Sequence, residues 1–304
     1  MLDAKHESSY LMRMNKLPTQ TRVQILQMLC EGSSMRANSR ITGVSFNTVV
    51  KLLEDAGKFC FQLHDERVRG LTCQRVQVDE IWSFCYAKAA NLAKAKAAPV
   101  GAGDVWTWTS IDADTKLICN WMVGERDANW AEAFIDDLSY RITTRVQLTS
   151  DGLQAYVLPV HAAFGNEVDY AQLVKVYGAP KDGRLSATSE CIGCRKRPVI
   201  GNPDPAHIST SFVERSNLSM RMHMRRFTRL TNAHSKKLNN HRHAISLYFT
   251  FYNWTRIHKT LRTTPAMAAG LTDRVWDMEE IVALMDEVAP KPGRPKTYKK
   301  RQAA

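Results

Sequence analysis

The 304-residue chain has an ordinary hydrophobic share of 44% and 24% charged residues, enough for one large folded unit plus a small one. Its 42 Lys+Arg against 30 Asp+Glu leave a formal charge of +12, a surplus that points to a polyanionic partner such as nucleic acid. The seven cysteines are odd in number and mostly scattered among apolar neighbours. With no secretory leader and no apolar run of membrane-spanning length, a cytoplasmic chain with thiols as core filler is expected, not a disulfide scaffold or membrane protein.

Residues 1–17 are polar and Met-rich without periodicity and read as an arm. Pro18 then opens the helical pattern TQTRVQILQMLCEG, with Val23, Leu26 and Cys30 on one face and Gly32 as its stop. A short helix, SMRANSRITG, ends at Gly43, and SFNTVVKLLEDAG follows with Ser45 as N-cap. Its buried stripe is Val49, Leu52, Leu53 and Ala56, which leaves Asn47, Thr48 and Lys51 outward. Three short helices over residues 18–60 with a tight turn before the last fit a helix-turn-helix, so these three outward residues are candidate DNA contacts; a generic helical cap is the plainer alternative.

From residue 74 the period becomes that of strands. RVQVDEIWSFCY is one, and DVWTWTSIDADTKLICNWMVG is two, joined at Asp112-Ala113-Asp114. The helix ANWAEAFIDDLSYRI, the strand RVQLTSD, the helix LQAYVLPVHAAFG and the strand VDYAQLVKVYG complete an α/β order with a mixed sheet of five strands. The Pro-, Gly- and Lys-rich stretch 179–210, with Cys191 and Cys194, reads as a surface insertion. Two cysteines fall short of the four ligands of a structural zinc, and His161 and His207 lack regular spacing, so zinc is not expected. Helix is expected over 210–258 and again over 271–288, then a basic Pro/Gly-broken tail containing Gly293-Arg294-Pro295, a weak minor-groove motif.

Three acids stand out. Asp79 sits in the middle of an apolar strand, where an ionised carboxylate is costly unless paired or metal-bound. Asp151 ends a strand in TSDGLQAY, where Gly152 is expected to relieve the bend. Glu214 lies near the start of a helix in SFVERSN; Glu167 and Glu190 compete with it, but neither begins an apolar-periodic helix. If the first and fourth strands are neighbours, Asp79 and Asp151 lie side by side and Glu214 closes an oxygen-rich site, the ligand type that Mg²⁺ or Mn²⁺ prefers. Two such ions can hold the attacking and leaving oxygens of an in-line phosphoryl transfer. Strand alternation puts Glu80 on the opposite face from Asp79, on the solvent side or behind the site. Arg215, Arg221, Arg225 and Arg226 crowd the Glu214 helix and, with Asn217, are candidate DNA contacts, although charge runs are more often solvated faces.

The blocks VDEIWSF, TSDGLQAY and SFVERSN, followed by YNWTRIHKTLRTTPAMAAGL, resemble the DDE transposases of bacterial insertion sequences, most of all the insertion-sequence-one group. The resemblance spans residues 74–272 and implies an RNase H-like, integrase-type core there, with the helix-turn-helix before it and the C-terminal helix and tail over 273–304 after it read from the residue pattern. It implies two Mg²⁺ or Mn²⁺ ions on Asp79, Asp151 and Glu214, strand cleavage and transfer at terminal inverted repeats into target DNA, and a homo-oligomer of two or more copies. The interval from Asp151 to Glu214 exceeds that of compact retroviral-type integrases, and the surplus is the 179–210 stretch. The alternative reading is a non-catalytic DNA-binding regulator with an RNase H-like oligomerisation domain; an intact acid trio speaks against it.

Overall fold

The computed structural model describes residues 16–178, 191–228 and 232–289. Most of the N-terminal arm, the basic tail with Gly293-Arg294-Pro295, and Glu190 lie outside the described residues.

Three helices open the chain: α1 (Thr19–Cys30), α2 (Met35–Thr42) and α3 (Phe46–Arg67). Ser34 and Ser45 cap the second and third by accepting from Ala37 N and Thr48 N, and Gly43 takes the left-handed φ of 71° that ends α2. α3 runs past residue 60 to Arg67, and its apolar face (Val49, Leu53, Ala56, Cys60) belongs to the same buried cluster as the sheet. The three helices are therefore packed onto the larger unit through α3.

The sheet has the order β3-β2-β1-β4-β5-β6, built from β1 (Arg75–Cys85), β2 (Gly103–Asp112), β3 (Ile118–Gly124), β4 (Val146–Asp151), β5 (Val168–Tyr177) and β6 (Cys191–Ile200). β1–β4 and β4–β5 are parallel and the other pairs antiparallel. The first five strands and the Asp112–Asp114 turn lie where periodicity places them. The sixth corrects the expectation of a five-stranded sheet: Cys191–Ile200 of the supposed insertion is β6, paired to β5. It escapes a pattern search because it is an edge strand, exposed over most of its length and carrying Arg195, Lys196, Arg197 and Pro198 in place of apolar alternation.

Helices cover both faces. α4 (Ala128–Ser139) and α5 (Val157–Phe164) lie on one; Trp108 packs edge-on to Tyr156 there, and Asn120 Nδ2 donates to Phe134 O at 2.9 Å. On the other, Trp121 meets Phe249 of α7 (Leu238–Thr250) and Phe61 of α3. α3 and α7 approach closely because residue 57 is glycine: a Cβ there would overlap the backbone and Cβ of His243, and Ser246 Oγ donates to Gly57 O at 2.9 Å.

α6 (Ser211–His223) joins this second face, but the expected continuous helix over 210–258 is broken. After α6 come a short 3-10 turn at Arg225–Phe227, then α7, then a π-helical turn at Phe251–Thr255. A four-residue helix, α8 (Pro265–Ala268), and α9 (Met278–Val288) end the described chain. α9 carries an Asp277/Glu280 capping box and returns to α1, where Asp286 accepts from both terminal nitrogens of Arg22 at 2.6 and 2.7 Å. Among the described residues, no helix is long and apolar enough to cross a membrane.

Candidate active site

The site forms where two parallel strands part. β1 and β4 pair only at Arg75↔Gln147, Val76↔Leu148 and Gln77↔Thr149. Carried two residues further, that register sets Asp79 opposite Asp151, at the point where the ladder has ended. Their carboxylates, together with that of Glu80, offer ligand atoms that all lie within 4.8 Å of one another. The group could hold a metal ion, since three carboxylates are a hard, all-oxygen donor set.

α6 is keyed to the strand beneath it. Gln77 Oε1 accepts from Phe212 N (2.8 Å) and Val213 N (3.1 Å), satisfying orphan donors in the first turn of the helix. Gln77 and Asp79 share a face of β1, so this clamp fixes α6 above Asp79. One consequence is that Asn217 Nδ2 donates to Asp79 Oδ2 at 2.7 Å, while Asn217 Oδ1 is buried with no hydrogen-bond partner. Asp151 is shaped by its own turn, Leu153 N donating to Asp151 Oδ1 at 2.9 Å. Gly152 does not adopt a left-handed φ, so its freedom is not what makes that turn.

Asp79 is held in an unfavourable place for a charge. Burial, then the neighbouring Glu80 and Asp151, push its carboxyl from 3.8 up to about 7, with Glu214 adding a smaller push. Glu80 is likewise raised, by burial first and then by Asp151, against the opposing pull of Arg126 and Tyr156. A cation between Asp79 and Asp151 would remove the repulsion, which is the fit that the donor set predicts.

Glu80 corrects the sequence reading in part. Alternation does send it to the opposite face from Asp79, but its side chain is only 2% exposed, not on the solvent side. Arg126 donates to Glu80 Oε1 at 2.7 Å, and Tyr156 OH donates to Glu80 Oε2 at 3.0 Å. In the sequence the signal for this burial is Tyr156, the tyrosine of TSDGLQAY.

Glu214 sits nearby but outside that cluster. Burial would raise its pKa, yet hydrogen bonds from Lys175 and Thr210 outweigh it and leave the carboxyl below its ordinary value. Lys175 Nζ lies 2.8 Å from Glu214 Oε1, and Thr210 Oγ1 donates to the same oxygen at 2.7 Å. Asp79 and Asp151 are thus brought together, and Glu214 stays outside their cluster with its carboxylate engaged by Lys175 of β5.

The expected DNA contacts divide. Asn47, Thr48, Lys51, Arg215 and Arg225 are exposed and Arg221 is half-buried. Arg226 is turned inward: its Nη1 donates to Ser235 Oγ (3.0 Å) and Asn240 O (2.9 Å), and burial pulls its pKa down to about 10. Cys191 and Cys194 are exposed on β6, whereas the other five cysteines are buried.

No family model and no curated protein matches the chain. Among solved structures it is similar to the piggyBac transposase synaptic complex with hairpin DNA (TM-score 0.39, 10% identity, 90% of this chain and 73% of that one). It is also similar to the Mos1 transposase paired-end complex with left transposon end (TM-score 0.23, 12% identity, 51% of this chain and 59% of that one). The Mos1 strand transfer complex gives a TM-score of 0.21 at 13% identity, over 77% of this chain and 78% of that one. Likeness of that order assigns neither family nor function, and the site stands on its own side chains.

Proposed function

We propose that the chain is a DDE-type DNA transposase of an insertion sequence. The observation that carries this reading is the convergence of Asp79 and Asp151 where β1 and β4 part, inside a basic protein. The transposase blocks around these acids in the sequence, including the insertion-sequence-one likeness, supply the specific reaction.

In this reading Asp79 and Asp151 would hold a divalent ion, Mg²⁺ or Mn²⁺, and Glu214, once released from Lys175, would serve a second. When bound, the ions supply positive charge to the phosphoryl oxygens and orient attack. The chain's own part is positional. Asn217 fixes the Asp79 carboxylate, Gln77 fixes the helix that carries Asn217 and Glu214, and Arg126 with Tyr156 hold Glu80 in place beside the pair. A water or a DNA 3′-hydroxyl oxygen attacks phosphorus in line, one P–O ester bond breaks, and the departing 3′-oxygen takes up a proton.

The first three helices form a helix-turn-helix that reads terminal inverted repeats through Asn47, Thr48 and Lys51, and Arg215, Arg221 and Arg225 meet phosphates beside the acids. The enzyme acts in the bacterial cytoplasm, at the nucleoid, as a homo-oligomer that holds two DNA ends. A non-catalytic DNA-binding regulator is the competing reading, favoured by the Lys175–Glu214 ion pair, which leaves one acid of the trio engaged.

The test is strand cleavage and transfer on inverted-repeat DNA with Mg²⁺. Asp79→Asn, Asp151→Asn and Glu214→Gln should each bind DNA as wild type does and lose cleavage. Full activity in all three would refute the assignment, and DNA binding without wild-type cleavage would favour the regulator.

A further inference from the structure

The far flank of α6 from Glu214 borders a cleft of about 430 Å³, and of its lining the catalytic reading uses only Arg215. Its walls are α6, the β2–β3 turn and the loop after the π-helical turn, and they bring together Lys116, Phe212, Arg215, Arg256, His258 and Lys259. Among the described residues that line it, none is acidic. Lys116 lies in the field of the turn carboxylates Asp112 and Asp114, and of these Asp114 is taken by Arg75.

Two local features of the backbone build this cleft. Lys116 is not a glycine yet has a φ of 61°, in the left-handed region where glycine is the relaxed choice. Held there, its ammonium lies 3.7 Å from the centroid of the Phe212 ring and donates to Ala113 O. On the other wall, the π-helical turn Phe251–Thr255 ends α7 and launches Arg256 to Lys259 toward α6. His258 is kept below its ordinary pKa by burial first, then by Lys116 and Arg256, which places the three groups in one another's field.

Asp112 and Asp114 offset Lys116 in part, but the lining itself adds Arg215, Arg256 and Lys259 and no acid, and an anion relieves the repulsion among them. Phe212 (38% exposed) and Ile257 (57% exposed) add apolar rims, so the cleft suits an anion attached to something partly apolar, as a phosphodiester is to its sugars. An α-helix is about 10 Å across, and a DNA strand rises about 3.4 Å per nucleotide. A strand with its scissile phosphate at Asp79 and Asp151 therefore reaches the far flank of α6 within about three nucleotides.

We infer that this cleft is a DNA backbone site, holding phosphates a few nucleotides from the cleaved bond. The inference extends the polynucleotide reading of the acid pair but does not depend on catalysis. The test measures affinity for a short duplex of arbitrary sequence against salt concentration, using Lys116→Gly, Lys259→Gln and the double variant. Glycine is at ease at the Lys116 φ, and Lys259 is exposed, so both changes leave the fold intact.

Each lost phosphate contact lowers the slope of log K against log salt by about 0.9, and the double variant by about 1.8. Slopes equal to wild type would overturn the inference, as would equal competition by inorganic phosphate at matched ionic strength, which marks a free-anion site. The two readings fail separately. Unchanged slopes with Asp79-dependent cleavage remove only the cleft; lowered slopes in a wild type that cleaves nothing remove only the catalytic assignment.

Discussion

Asn217 of α6 donates a 2.7 Å hydrogen bond to Asp79 of β1, and this contact ties the Glu214 helix to the first acid. Asn217 is buried, and its other amide atom, Oδ1, is left without a partner. An amide in this place selects one orientation of the Asp79 carboxylate. Asn217→Ala should therefore lower divalent-ion affinity by about 10- to 100-fold, as loss of a ligand's orienting partner commonly does. Mn²⁺ titration followed by electron paramagnetic resonance measures this, and unchanged affinity would make Asn217 a packing residue.

Asp79 is a liability for the metal-free fold. Its carboxyl titrates near 7 in the native state against 3.8 ordinarily, so the native protein binds more protons than the unfolded chain between those values. Native stability contributed at low pH is then lost as pH rises toward 7, by on the order of 2–4 kcal/mol. Asp79→Asn removes that penalty. In chelator, urea unfolding should find the variant more stable than wild type near pH 8 and equal to it near pH 4, with metal binding abolished. A variant less stable near pH 8 would mean that the charge is already compensated.

Much of the fold was legible in the sequence where apolar periodicity was strong. β1 to β5 and the Asp112–Asp114 turn sit where alternation predicts, because one or both faces of each strand are buried. β6 was not legible, since an exposed edge strand bearing Arg195, Lys196 and Arg197 has no apolar face to announce it. The continuous helix expected over 210–258 failed because propensity does not register the packing of Arg226 and His241 around Ser235, which lies between α6 and α7. At the site, residue types and strand contexts were enough to pair Asp79 with Asp151. The burial of Glu80 and the capture of Glu214 by Lys175 depend on tertiary neighbours far away in sequence, and alternation could give only the face of Glu80.

The α3–α7 contact is built around a missing side chain. Adding a methyl group at Gly57 drives it into the backbone of His243, which cannot move without displacing α7. Gly57→Ala gains in helix propensity by less than about 1 kcal/mol and loses about 1–3 kcal/mol to overpacking. A fall in the denaturant midpoint with unchanged slope is expected; a rise would show that the helices separate freely.

Lys175 and Glu214 form a pair that is 35% and 41% exposed, so its worth to stability is small. Its worth to the site is larger if Glu214 must let go of Lys175 to reach a metal. Lys175→Gln should leave the melting temperature nearly unchanged and raise Mn²⁺ affinity severalfold. Weaker Mn²⁺ binding in Lys175→Gln would instead make the lysine a support for the bound state.

The most direct measurement is the anomalous scattering of Mn²⁺ in crystals of the wild-type protein. The account predicts a peak between the Asp79 and Asp151 carboxylates, at about 2.1 Å from an oxygen of each. Strong Mn²⁺ peaks elsewhere, with none between Asp79 and Asp151 at saturating ion, would contradict it.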